Sequence, residues 1–299
     1  MEFEEIAKTF TRKALPESEM ELAGEIPFEA LTHYREQALK HIADELEIPG
    51  FRKGHVPPDM VLKKVGELGV LEEAVEFFIR DFYPALLVAH KVDAVGRPDI
   101  RITKLAPQNP VGLTVRAAVY PEVTIPKDWQ TLAEKFPLEA YTGELPKTDP
   151  PPSPEDEQKA RDYMARDRRR GKIIDTLLEK TMVAVPNIFV ESELEKIMAQ
   201  MKEDVTKFGL KFEDYLKQMQ KDEGRLREDF RAQARKRAKL QLALNKLADK
   251  EKVVADPEAV EKEMKHALEH FPDARPDLVR IHIETVLRNE HVLKLLEGE

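Results

Sequence analysis

Residues 49–58, Pro49-Gly50-Phe51-Arg52-Lys53-Gly54-His55-Val56-Pro57-Pro58, set one phenyl ring and two cations between glycines and prolines that prevent helix or strand from continuing. These residue types offer binding rather than bond-making. A ring at the apex with Arg52 and Lys53 beside it suits a partner surface that is anionic and partly apolar. The competing reading is a tight turn whose Phe51 folds back into the core.

Constellations for catalysis are thin elsewhere. Gly66-Glu67-Leu68-Gly69 lacks the Lys-Ser/Thr that completes a phosphate loop. His266 and His270 lie four apart beside Glu263 and Glu269, a spacing that can clamp a divalent ion. No third ligand is evident in the sequence, so the pair reads as exposed helix surface, and no metal or cofactor is expected. Adjacent carboxylates such as Glu72-Glu73 are ordinary on a charged helix, and nothing marks a general acid and base.

Arg166, Arg168, Arg169, Arg170 and Lys172 form the strongest basic run, and residues 221–252 hold 11 Lys+Arg against 6 Asp+Glu. Both read either as contacts for RNA or acidic clients, or as solvated helix faces. Met164, Leu194, Ile197, Met198 and Met201 are candidate client-binding residues, because flexible thioethers accept varied sequences. They fill gaps between helices equally well.

The 299-residue chain is long enough for two or three domains. Its net charge of −9 argues against a general nucleic-acid binder, and residues 1–126 alone carry 15 Lys+Arg and 21 Asp+Glu. Any RNA contact by this half must be local. About two or three phosphate contacts would give modest affinity and a shallow salt dependence. Charged residues make up 35% and aromatics 7%, a mix that favours long solvent-laced helices over one thick core. The absence of cysteine excludes disulfides and thiolate chemistry and fits a reducing cytosol. No apolar leader and no run of about 18 apolar residues is found, so neither a signal peptide nor a membrane span is expected.

The elements that must position these residues follow from periodicity. Residues 5–26 read as two strands around Pro16-Glu17-Ser18, with Phe10 in the first. A helix is expected over 28–47, a short one capped by Asp59 to Val65 and broken by Gly66 and Gly69, and a third over 71–90 that Pro84 bends. Strands near 99–105 and 112–120 complete an α+β head at 1–126, a small antiparallel sheet with helices on one face. Residues 127–154 read as a proline-rich linker. From Ser153, which opens a capping box with Asp156, the chain reads as an all-α domain at 155–299, the whole being elongated. Asp222 and Asp256-Pro257 open later helices.

Gly50-Phe51-Arg52-Lys53-Gly54 followed by Pro57 resembles the ribosome-docking signature of the trigger factor family, which usually reads Gly-Phe-Arg-x-Gly-Lys-x-Pro. His55 stands where that lysine falls, replacing a fixed charge with an imidazole that is mostly neutral at pH 7. The strand and helix order of the head resembles the family's head. Ile173–Leu194, Arg235–Glu251 and Val253–Glu263 resemble parts of its helical body and arms. The family inserts a prolyl isomerase domain near residues 121–154, and only a short proline-rich stretch stands there.

The resemblance implies an ATP-independent chaperone that docks near the ribosomal exit tunnel through Gly50, Phe51, Arg52, Lys53 and Gly54. There it would touch ribosomal protein and RNA and hold nascent or unfolded chains on its helices. Not being an enzyme, and lying in the cytoplasm without a membrane partner, are further expectations. A ribosome-independent holding or assembly factor is the alternative, and retained prolyl isomerisation a third. The sequence leaves open whether the arms pair into a homodimer when idle.

Overall fold

A computed structural model describes residues 3–49, 51, 52, 54–145 and 153–298. They form two compact units. One runs to Pro121 and includes Pro186–Ile188; the other comprises Glu122–Val185 and the chain from Phe189 onward.

The first unit holds α1 (Phe3–Lys8), β1 (Thr11–Leu15), β2 (Glu19–Ile26), a 3-10 turn at Phe28–Leu31, α2 (Thr32–Glu45), α3 (Pro58–His90), β3 (Ala94–Lys104) and β4 (Val111–Val119). The strands form one antiparallel sheet in the order β1-β2-β4-β3. Alternation sets its inner face: Met20, Leu22 and Ile26 of β2 pair with Ala117, Val115 and Val111 of β4, and all six are buried. All but Ala117 meet Leu71, Phe78, Phe82 and Leu86 of α3 in one core. Phe10 packs its ring 5.4 Å from that of Phe82. Gly24 makes room for it, since a Cβ there would fall 2.6 Å from the Phe10 ring.

Three local expectations are corrected. Phe3–Lys8 is a helix, not strand, and Phe10 precedes β1 rather than lying in it. Glu4 and Glu5 in its first turn and Lys8 in its last suit the helix dipole, and Ile6 and Ala7 are buried in the core. Asp59 caps nothing; Pro57 occupies the N-cap of α3 and Pro58 its first position. Gly66 does interrupt α3, with φ 83° and ψ 161°, a region open essentially to glycine, but Gly69 continues the helix.

The second unit contains α4 (Pro154–Lys180), α5 (Asn187–Lys207), α6 (Phe212–Gln218), α7 (Glu223–Glu251), α8 (Pro257–His270) and α9 (Pro276–Glu297). The expected caps are present. The Ser153 hydroxyl accepts from the Asp156 N–H at 3.2 Å and donates to its carboxylate at 2.6 Å. Asp222 accepts from the Arg225 N–H at 2.7 Å, and Asp256 from the Glu258 N–H at 3.2 Å.

The start of the stretch read as a linker is packed. Just before it, Thr124 exchanges backbone hydrogen bonds with Met182 at 2.9 and 3.0 Å. Trp129, Leu132 and Ala133, on 3-10 turns, are buried with Ile173, Leu177 and Leu247. Spacing alone hid this, because a lone tryptophan in a segment without helical periodicity carries no face. The proline-rich residues 146–152 lie outside the described residues.

Candidate functional site

The loop between α2 and α3 is anchored at both ends and open at its apex. Ala43 and Val61 are buried, Val56 is buried between them, and Ile48 packs against the same cluster. The Phe51 N–H donates to the Ile48 carbonyl at 3.1 Å, and the His55 N–H to the Arg52 carbonyl at 3.0 Å, making two successive tight turns. Gly54 has φ 81°, and its N–H donates to the Ala43 carbonyl at 3.2 Å. A Cβ on Gly54 would come 3.2 Å from Asp44 Oδ1 in a backbone conformation that favours glycine.

These anchors leave Phe51 42% exposed, with Arg52 and His55 exposed beside it. The Arg52 side chain forms no hydrogen bond or ion pair with any described residue. Gly50 and Lys53, which complete the sequence-derived set, lie outside the described residues. Covering the rest of the phenyl ring would contribute about 1–2 kcal/mol. The guanidinium adds a donor fork suited to phosphate or carboxylate. Among the described residues no group of three or more His, Cys, Asp or Glu converges as a metal site, and no helix is long and apolar enough to cross a membrane.

The candidate client-binding residues separate. Leu194, Ile197 and Met198 are 0%, 6% and 2% exposed, and Leu194 and Ile197 share a cluster with Ala234, Ala238 and Leu242 of α7. Burial takes these three out of reach of a client, and Leu194 and Ile197 join α5 to α7. Met164 and Met201 are half-buried. Met201 borders a groove of about 370 Å3 with Ile197, Val205, Phe208, Tyr215 and Phe230.

Sequence reasoning missed three highly accessible apolar groups of this unit. Phe208 is 83% exposed, Val254 79% and Phe271 68%. The available signal was position: Phe208 directly precedes Gly209, whose φ of 73° ends the turn, and Phe271 follows α8 and precedes Pro272.

The basic run on α4 is largely consumed internally. Arg169 donates to the carbonyls of Phe136 at 2.7 Å, Ala133 at 3.4 Å and Glu297 at 3.1 Å. Arg170 pairs with the Glu297 carboxylate, and Lys172 with Glu139. Arg166 and Arg168 remain exposed. Asp128 accepts from Lys135 and Lys180, both at 2.8 Å, and those two ammonium groups hold its carboxyl well below the usual carboxylate range.

Family models cover this architecture from end to end of its core. The model for bacterial trigger factor protein matches residues 8–144, and the model for its C-terminus matches residues 155–291. The chain belongs to the trigger factor family. Only residues 145–154 separate the two matches, so the isomerase region is lacking between them. Trigger factor of Corynebacterium diphtheriae is 33% identical over 123 residues, which are 41% of this chain and 27% of that protein. That of Nocardioides sp. is 31% identical over 114 residues, 38% and 24% of the two. The matched stretches thus span about a quarter of these relatives. A solved structure of a trigger factor chaperone, described for promiscuous substrate recognition in folding and assembly activities, superposes with a TM-score of 0.60. It is 15% identical and covers 97% of this chain and 99% of that one, a likeness of fold.

Proposed function

We propose that this chain is an ATP-independent holding chaperone of the cytoplasm that docks on the ribosome near the exit tunnel. Phe51, Arg52 and Lys53 make the contact with ribosomal protein and RNA, and Gly50 and Gly54 shape the loop. One observation carries the reading: an exposed phenyl ring beside a guanidinium that pairs with none of the described residues, on a loop whose flanks are buried. The acidic remainder of the head keeps that contact local, so binding is modest and reversible.

Nascent or unfolded chains bind on the helical unit. Phe208, Phe271 and Val254, with Met201 and Met164, offer separated apolar contacts rather than one deep pocket. Each contributes about 25 cal/mol per Å2 buried, which holds a client loosely enough for it to leave and fold. Prolyl isomerase activity is absent in this reading, because ten residues between the matched regions cannot build a domain that needs on the order of 100.

The test is co-sedimentation of the purified protein with ribosomes, alongside suppression of aggregation of a denatured client without ATP. Both activities are expected. Aggregation suppressed by a protein that never pellets with ribosomes would select the second reading, a ribosome-independent holding factor. His55 in place of the family's lysine is the observation that favours it.

A further inference from the structure

We infer that His266 and His270 form a two-ligand site for a borderline divalent transition-metal ion such as Zn2+, Ni2+ or Cu2+ at the end of α8. The two rings stand one helical turn apart with centres 4.7 Å from each other, and both side chains are exposed. Two imidazoles whose nitrogens sit about 2.0–2.1 Å from one ion, at angles of about 90–110°, hold their ring centres about 4.5–5.2 Å apart. The observed separation falls inside that range, so chelation requires only ring rotation in solvent. Imidazole nitrogen is a favoured ligand for these ions, and water fills the remaining positions.

The local field supports a cation there. His270 is the last residue of α8 and His266 lies one turn before it, so the ion sits at the negative end of the helix dipole. Exposed Glu263 and Glu269 add negative charge, set against Lys262 and Lys265 on the same helix. Among the described residues no third protein ligand joins the pair, which makes the site open and exchangeable rather than a closed structural centre. Occupancy joins the last two turns of α8, directly before the exposed ring of Phe271.

The full chain is titrated calorimetrically with NiCl2 and separately with ZnCl2. Wild type binds one ion at this site, and H266A and H270A each weaken that event tenfold or more. H282A, at another exposed histidine, leaves it unchanged. Metal also raises the melting temperature of wild type but not of H266A/H270A. If the double variant were to lose its helical circular dichroism, H270Q carries the same comparison with a polar side chain retained. Wild-type affinity and stoichiometry persisting in the double variant, or in H270Q, would overturn the assignment.

Discussion

The backbone N–H of Gly54 donates to the carbonyl of Ala43 at 3.2 Å, tying the far side of the proposed docking loop to the last turn of α2. Ala43 in turn is buried with Val56 and Val61. The apex therefore projects from a fixed base rather than from a free loop. Gly54→Ala places a Cβ against Asp44 at φ 81°, a strain of about 1–3 kcal/mol. Ribosome affinity should weaken several-fold, and the urea midpoint should fall by no more than that strain accounts for. An unchanged affinity would show that the contact does not depend on this loop shape.

Leu194 and Phe208 should respond in opposite ways. Leu194 is fully buried, so Leu194→Ala should destabilise by about 2–5 kcal/mol in urea denaturation. Phe208 is 83% exposed, so Phe208→Ala should change stability by less than about 0.5 kcal/mol yet reduce client holding, measured by light scattering of an aggregating substrate. Equal loss of stability in both variants would contradict the assignment of surface and core.

Arg169 gathers three carbonyls from the 3-10 turns and from the end of α9. Arg169→Met keeps an unbranched apolar stem and removes every donor. It should cost about 1–3 kcal/mol, read from the shift in urea midpoint. Arg169→Lys should recover only part of this, because a single ammonium cannot reproduce the planar fork.

Asp128 gives the acid dependence a sign. Its folded-state carboxyl is depressed first by hydrogen bonds from Lys135 and Lys180, so its contribution is present above the ordinary carboxylate range. It is lost as pH falls below about 4 toward the depressed value. Asp128→Asn should therefore narrow its stability deficit against wild type as pH falls from 6 to about 3. A deficit that stays constant over that interval would separate the two ammonium contacts from acid stability.

The head and the helices were legible where periodicity and caps spoke together. Met20, Leu22 and Ile26 alternate onto the sheet's inner face, and Ser153, Asp222 and Asp256 cap their helices through their side chains. The six-residue α1 escaped notice because it spans fewer than two turns and shows no repeating face. Trp129 and Leu132 escaped because their burial depends on helices more than forty residues away in sequence. Apolar spacing identified Leu194, Ile197 and Met198 as one stripe, but a stripe cannot say whether it faces a neighbouring helix or a client. Packing against α7 decided the matter for Leu194 and Ile197. Glycine and proline marked the loop, but whether Phe51 turns outward or folds into the core stayed open until its 42% exposure was seen.

The most direct test of docking compares wild type with Phe51→Ala, Arg52→Ala and the triple variant that also carries Lys53→Ala, by co-sedimentation with ribosomes over a series of salt concentrations. The triple variant should lose ribosome binding, and Arg52→Ala should lower both affinity and the salt slope, while all three keep the wild-type melting temperature and client holding. Undiminished pelleting of a folded triple variant would contradict docking through this loop.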